Sequence, residues 1–385
     1  MNGRQTWEEA LLVIKTLQRH GITAYIVGGA VRDRLMNRNP SDMDIAAAAT
    51  TGELLIVFPH AVKPSEKHGT LLVKSGKSIV EVTPFRHGAE TIEDDLKHRD
   101  FTCNAMAADA QGTVIDPFNG QKDIRDQVLR TPESAERAFF LDPLRVIRAF
   151  RFSAVLGFSL DPETERAANT AAEGLSHTAL ERINGEITKL LEGQKRLCAL
   201  ENMRELRLFS CFPENVRPAS PSFHHPTLVQ FPEGIKVSWA ALLYALYGRK
   251  SLDVLNGWRF SNQVRKQCRW LLERVDVAVS SDTWLQWLYY FGPKQVADLE
   301  KLKQWKYFTY QPRSYAEWKK KWEALPIHSR KELALPPKSI ASMPAFKGTA
   351  KVGQAIAFLE RAVVNEKVEN SEQKLLAYLE EMNDE

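Results

Sequence analysis

An α+β fold is what the sequence predicts, with strands gathered in the first third of the chain and helices filling the rest. Three observations carry this. Short apolar or alternating runs at Ala24–Val27, 69–74 and 78–83 are bounded by Gly- and Ser-containing turns, which is strand grammar. From residue 134 onward, apolar residues recur at helical three- and four-residue spacings. At 385 residues the chain is long for a single core, so two to four modest domains are expected.

Composition narrows the class. A hydrophobic fraction of 44% is ordinary for a globular protein. No run approaches the roughly 18–20 apolar residues of a membrane span, and MNGRQTWEEA lacks the basic-then-apolar pattern of a signal peptide. Cys103, Cys198, Cys211 and Cys268 are far apart and form no C-x-x-C pair, so neither disulfides nor structural zinc are expected and a reducing cytoplasm fits. The net charge of +4 is unevenly spread: residues 249–332 hold 17 Lys/Arg against 9 Asp/Glu, leaving the remainder acidic. The same stretch carries seven of the nine tryptophans. A nucleic-acid surface and a Trp-rich helical core under solvated lysines both account for that pattern.

In chain order, residues 5–20 place Ala10, Leu11, Ile14 and Leu17 on one helical face, stopped by Gly21. The stretch that organises the chain follows, GITAYIVGGAVRDRLMNRNPSDMDIAAAA at 21–49. It reads as a strand, a Gly28-Gly29 turn, a helix opening with Val31-Arg32-Asp33, a turn at Asn39-Pro40-Ser41, and a second strand carrying Asp42 and Asp44. Two carboxylates one residue apart on a strand share a face, roughly 6.6 Å apart along it. That spacing suits divalent metals, which in two-metal sites lie about 3.5–4 Å apart. The glycines let backbone amides approach phosphate oxygens, and Arg32 adds a bidentate phosphate donor. A phosphate cradle beside metal-binding carboxylates points to nucleotidyl transfer.

GGAVRD followed by DMDIA resembles the signature of polymerase-β-like nucleotidyltransferases, in the branch holding tRNA CCA-adding enzymes and bacterial poly(A) polymerases. The resemblance is close over about the first 190 residues and loose beyond. It implies a head with a mixed sheet and flanking helices, followed by an all-helical neck, body and tail, with boundaries at 1–134, 135–197, 198–275 and 276–385. It also implies that Asp42 and Asp44 hold Mg²⁺, with Glu81 on a neighbouring strand assisting. A surface Glu81 paired with a Lys is the alternative. Gly29 and Arg32 would cradle the triphosphate. HRDFTCNAMA, residues 98–107, resembles the family's RRDFTINALA element. Arg99 would contact the nucleotide, Asp100 would brace the turn, and Phe101, Cys103, Ala105 and Met106 would pack; His98 stands where the family has Arg. Only 12 residues, 87–98, separate Arg86 from Arg99. CCA-adding relatives carry a longer mobile loop there, which helps the site switch from cytidine to adenosine. Relatives that add only the two cytidines lack it, as this chain does. Residues 114–124 resemble the family's strand-turn element that closes the sheet.

The second functional centre is 134–152. Asp142-Pro143 is a helix start, with Asp as N-cap. Leu144, Ile147 and Phe150 make an apolar face, while Arg145, Arg148 and Arg151 recur every three residues on another. These arginines read either as a solvated basic face or as a reader of bases. An Asp only accepts hydrogen bonds and an Arg only donates them. Cytosine and adenine each offer an amino donor beside a ring-nitrogen acceptor; uracil and guanine reverse the order. An Asp142–Arg145 pair would therefore accept C and A and reject U and G, with about 1–3 kcal/mol of discrimination for a good bidentate contact. LDPLR at 141–145 resembles the family's EDxxR motif, with Leu141 in place of Glu, and the resemblance gives Arg148 and Arg151 further nucleotide contacts.

Ala167–Leu191 reads as two helices, and Glu181-Arg182-Ile183 with Glu186 resembles the family's last shared motif, which steadies the base-reading helix. A proline-rich connection at 212–236 precedes helices at 239–247, 264–275, 284–291 and 295–306, then a helical module after Pro344. A tRNA nucleotidyltransferase using CTP, and ATP if adenosine is added, is the reading this supports, with tRNA gripped by the basic helical half and no membrane partner. The rivals are a full CCA-adding enzyme, a poly(A) polymerase and a catalytically silent tRNA-binding protein.

Overall fold

The structure, a computed structural model, describes residues 3–40, 42–64, 69–218, 231–307, 309–346 and 349–381. Ser41 of the predicted turn, and Pro221 and Pro226 of the proline-rich connection, lie outside the described residues. The chain divides into two compact units, Met1–Ser222 with Gly257–Arg259, and Phe223–Asn256 with Phe260–Glu385.

The first unit opens with α1 (Gly3–Arg19), β1 (Ala24–Val27), α2 (Gly29–Leu35), β2 (Asp44–Ala47) and α3 (Thr51–Val57). Gly21 at φ +74° ends α1, as its position predicts. Thr50 and Glu53 form a capping box that starts α3. The hairpin β3 (Leu71–Ser75) and β4 (Ser78–Pro84) turns at Gly76-Lys77, and α4 (Ile92–Lys97) follows, capped by Thr91. Two short strands, β5 (Ala107–Ala108) and β6 (Val114–Ile115), complete a six-stranded sheet in the order β3-β4-β2-β1-β5-β6. β2 and β4 run parallel and the other pairs antiparallel, so the sheet is mixed, as the resemblance implied.

Period-two alternation gives the sheet two faces. Ile26, Met43, Ile45, Val73, Val80 and Val82 bury against Trp7, Ala10, Ile14 and Leu17 of α1. The opposite face carries Val27, Ala46 and Ala107 under Ile92 and Leu96 of α4. Asp44 and Glu81 stand on this second face because their strand neighbours are committed to the first.

A helix α5 (Gly120–Asp126) begins where Asp116 accepts from the Gly120 and Gln121 amides at 2.7 and 2.9 Å. Then come β7 (Val128–Leu129), α6 (Ala135–Leu141), α7 (Leu144–Leu156), β8 (Ser159–Leu160), α8 (Pro162–Ala171), α9 (Leu180–Glu192) and α10 (Arg196–Glu205). β7 and β8 form a separate two-stranded parallel sheet.

The second unit is helical in its described residues. Its helices include α11 (Ile235–Tyr247), α12 (Asn262–Arg274) and α13 (Ser281–Lys306), and near the end of the chain Thr349–Val364 and Glu372–Glu381. α13 is kinked at Gly292, φ +78°, before Pro293, which is why the sequence reads as two helices. Trp270, Trp284, Trp305 and Trp318 are buried here, and Trp258 is buried in the first unit. Trp284 packs on Trp287 and Trp318 with ring centroids 5.3 Å apart, and Arg274 lies over Trp270. Most of the tryptophan signal is therefore core. Among the described residues, no helix is long and apolar enough to cross a membrane.

Gly120 offers a direct test of how the head is packed. A Cβ there would stand 2.2 Å from the Thr102 carbonyl oxygen. Gly120→Ala is expected to cost about 2 kcal/mol or more through overpacking, measured as a lower urea midpoint; an unchanged midpoint would contradict the close approach of α5 to residues 102–104.

Candidate active site

The site begins at the end of β1. Gly28 takes φ +76°, a conformation open to glycine, and starts α2. A Cβ on Gly28 would lie 3.1 Å from Arg99 Nη1, 3.7 Å from Asp44 Oδ2 and 3.9 Å from the Asn104 carbonyl. The glycine bend, the first strand carboxylate and the predicted nucleotide arginine thus share one corner. In the sheet, Asp44 pairs with Val27 on one side and with Glu81 on the other. Adjacent strands lie about 4.8 Å apart, so Asp44 and Glu81 are direct neighbours on one face.

Asp42 differs from expectation in one respect. β2 starts at Asp44, so Asp42 lies in its lead-in rather than within the strand, exposed beside the buried Met43. Its charge still reaches the corner. Burial raises the Asp44 pKa and Asp42 adds to the rise, while Arg99 and Arg86 oppose it. Burial also raises the Glu81 pKa, with Asp44 and Asp42 contributing. Glu81 makes no ion pair with a lysine among the described residues.

Among the described residues, no three His, Cys, Asp or Glu side chains already converge as a metal cage. The donor set nonetheless fits a hard divalent cation of the kind that oxygen ligands take. Mg²⁺, one such ion, commonly takes one or two carboxylates and completes its shell with phosphate oxygens and water. Asp44 and Glu81 on one face, with the charge of Asp42 acting on both, also favour a divalent counter-charge.

Arg32 is buried. Its Nε and Nη2 donate to Asp33 at 2.9 and 2.6 Å, and its Nη1 donates to Asn104 Oδ1 at 2.6 Å. Gly29 leaves room beside it: a Cβ there would be 3.4 Å from Arg32 Nη2. Phe101, Cys103, Ala105 and Met106 are fully buried, as the motif implied. Asp100 accepts from the Phe101 amide at 2.9 Å and from Asn104 Nδ2 at 3.0 Å, bracing the turn.

Between α6 and α7, Asp142 Oδ1 accepts from the Leu144 amide at 3.3 Å, although Pro143 rather than Asp142 occupies the position just before α7. The direct Asp142–Arg145 pair does not form. Asp142 Oδ2 accepts from Arg182 Nη2 at 3.0 Å, and Arg145 Nη2 donates to the His98 carbonyl at 2.6 Å. Both side chains are therefore held from outside α7, Asp142 by α9 and Arg145 by the end of α4. Arg148 donates to Asp100 through Nε at 3.0 Å and also through Nη2, and to Glu186 at 3.3 Å. Arg151 lies 2.8 Å from Glu186. Burial opposes ionisation of Asp100, but Arg148 outweighs it and holds the carboxyl well below the usual range. Burial lowers the Arg151 pKa to about 10. Phe152 gathers Arg32, Arg148 and Arg151 over its ring, with Arg151 closest at 3.8 Å.

Asp95 and Asn104 are not singled out by the sequence, and Arg86 enters there only as the boundary of the short segment. Asp95 precedes Arg99 by four residues, and that helical pairing distance was the available signal. Nothing local to the sequence marks Arg182 as the partner of Asp142.

A sheet-borne pair of carboxylates beside a glycine bend, with an arginine-bearing helix behind it, defines a nucleotidyltransferase of the polymerase-β type. Comparison with known proteins narrows this. A family profile described as the Poly A polymerase head domain matches residues 24–130. Residues 157–216 match a probable RNA and SrmB-binding site of polymerase A, and 232–379 match a putative tRNA nucleotidyltransferase domain 2. The CCA-adding enzyme of Geobacillus stearothermophilus is 33% identical over 399 residues, covering 98% of this chain and 97% of the relative. That of Streptococcus pneumoniae strain R6 is 32% identical, with 97% of each covered. The crystal structure of the Bacillus stearothermophilus CCA-adding enzyme in complex with CTP superposes with a TM-score of 0.85 at 34% identity, covering 98% of each chain. The Thermotoga maritima CCA-adding enzyme complexed with tRNA shares the fold, TM-score 0.63 at 20% identity, over 97% of this chain and 94% of its own. The chain belongs to the CCA-adding tRNA nucleotidyltransferase family.

Removing Asp100 tests the arginine network. Asp100→Ala leaves Arg148 without its main partner and is expected to lower stability by about 3 kcal/mol at pH 7. Because the folded pKa of Asp100 is depressed, its contribution is present above the unfolded value of about 3.9 and fades as pH falls below it. The gap between wild type and variant in urea midpoint should therefore narrow from pH 7 to pH 3; a constant gap would exclude the charge as the cause.

Proposed function

We propose that this chain adds the two cytidines of the tRNA 3′ CCA end, using CTP, and stops before the terminal adenosine. The observation that carries this is the segment between Arg86 and Arg99. Its 12 residues are taken up by a single turn at Arg86–Gly88 and the Thr91-capped α4. They leave no long loop beside the nucleotide arginines to re-aim the base-reading groups from cytosine to adenine. Full CCA addition is the second reading, favoured by the names of the Geobacillus and Streptococcus relatives. A poly(A) polymerase would share the head but has no natural stop.

In this reading the tRNA 3′ hydroxyl attacks the α-phosphate of CTP and pyrophosphate leaves. Asp42 and Asp44 would hold Mg²⁺, with Glu81 assisting; an ion held there would supply Lewis acidity toward the attacking hydroxyl and counter-charge for the leaving group. Gly28 and Gly29 let the backbone meet the triphosphate, Arg32 donates to it and Arg99 holds the nucleotide. Asp142 and Arg145 read the base, each pre-held by a partner it exchanges or shares when the base arrives. Arg148 and Arg151 add nucleotide contacts or hold the helix that makes them. The head would span 1–134, the neck 135–197, the body 198–275 and the tail 276–385, with the basic helical half binding the tRNA acceptor stem and elbow by shape and backbone charge. The tRNA substrate puts the reaction in the cytoplasm, with no membrane partner.

The decisive assay incubates tRNAs lacking two, and lacking one, terminal residue with CTP alone, ATP alone and both. Two cytidines and no adenosine are expected; adenosine on the one-residue-short tRNA would establish full CCA addition, and a long adenosine tract would establish polyadenylation. Asp42→Ala should abolish incorporation in Mg²⁺ while tRNA binding in a gel-shift assay persists; an unaffected rate would remove Asp42 from the mechanism. Asp142→Ala should relax the choice of C over U by about ten- to a hundredfold, read as the ratio of kcat/KM values, and unchanged selectivity would dismiss the amino-acid template.

A further inference from the structure

Asp95 is fully buried in α4, and its carboxylate is shared between the two ends of the short segment. Oδ2 accepts from Arg99 Nε at 3.1 Å and Nη2 at 2.9 Å. Oδ1 accepts from the Arg86 amide at 2.9 Å. A guanidinium is planar, so fixing Nε and Nη2 fixes the third nitrogen as well. That nitrogen, Nη1, is the one that lies 3.1 Å from where a Gly28 Cβ would stand, with Asp44 Oδ2 3.7 Å from the same point. A buried carboxylate is costly unless it is paired and hydrogen-bonded. Here both oxygens of Asp95 have partners, and those partners set the direction of one functional arginine.

We propose that Asp95 is a positioning residue for nucleotide addition, holding Arg99 so that Nη1 faces the Gly28 bend and Asp44 while clasping Arg86 and Arg99 together at the ends of the short segment. This rests on the reading that Arg99 contacts the incoming nucleotide. Asp95 itself touches no substrate; it acts through Arg99. Without it, Arg99 keeps its charge but loses the direction of its fork, so the incoming nucleotide should suffer more than the tRNA.

The test is a double-mutant cycle in steady-state CTP incorporation, with Arg99→Ala, Asp95→Asn and the pair combined. Arg99→Ala is expected to raise KM for CTP, and Asp95→Asn to lower kcat/KM for CTP by about ten- to a hundredfold through misplacement, with KM for tRNA little changed. In the Arg99→Ala background, Asp95→Asn should have no further effect on CTP kinetics, because the group it orients is gone. If Asp95→Asn lowers thermal stability but leaves CTP kinetics unchanged, or lowers them equally in both backgrounds, Asp95 is structural and the proposal is overturned. If Arg99→Ala leaves CTP kinetics unchanged, the reading of Arg99 fails and the proposal falls with it. Should Asp95→Asn not fold, Asp95→Glu keeps the charge but moves the carboxylate by one methylene. It is expected to impair CTP use several-fold in the Arg99 background and not in Arg99→Ala, and an equal effect in both would overturn the proposal.

Discussion

The register of three strands governs this site. β2 is antiparallel to β1 and parallel to β4, and Asp44 sits opposite Val27 on one side and Glu81 on the other. The Val27 pairing brings Asp44 to the Gly28 bend. The Glu81 pairing brings a second acid alongside it. Both depend on Met43 and Ile45 staying in the core under α1. A slip of one residue in β2 would turn Asp44 into that core and Met43 toward the bend. The apolar face therefore fixes where the chemistry stands, although none of its residues takes part.

A second constraint ties the sheet to the helices behind it. Asp100 and Glu186 divide Arg148 and Arg151 between them, and the Phe152 ring lies under those two arginines and Arg32. Phe152 also meets Phe101 edge-on, with centroids 5.6 Å apart. Charge alone would drive three arginines apart. Here two carboxylates and an aromatic face offset the repulsion, and α7 is held with Asp142 and Arg145 at its start. The base-reading end is then fixed by separate partners, Arg182 and the His98 carbonyl.

Much of the fold was legible because its elements are specified locally. Ala24–Val27 is a strand with the bounds read from sequence, and the turn expected at Ser75-Gly76-Lys77 forms at Gly76-Lys77, Ser75 being the last residue of β3. The break at Gly292-Pro293 was visible as two helical runs. The tryptophans were ambiguous because an indole serves equally as core and as a surface for nucleic acid. Burial of Trp258, Trp270, Trp284, Trp305 and Trp318 decides for core at those positions.

The sequence by itself determined the opening strand, the alternation that sets Asp44 apart from its apolar neighbours, and the glycine bend, because alternation, helical spacing and backbone freedom are properties of neighbouring residues. Tertiary structure alone decided which arginine meets which acid. Arg182 reaches Asp142 across 40 residues and Arg148 reaches Asp100 across 48. A guanidinium has donors enough for several acceptors, and only the folded chain shows which of them comes within reach.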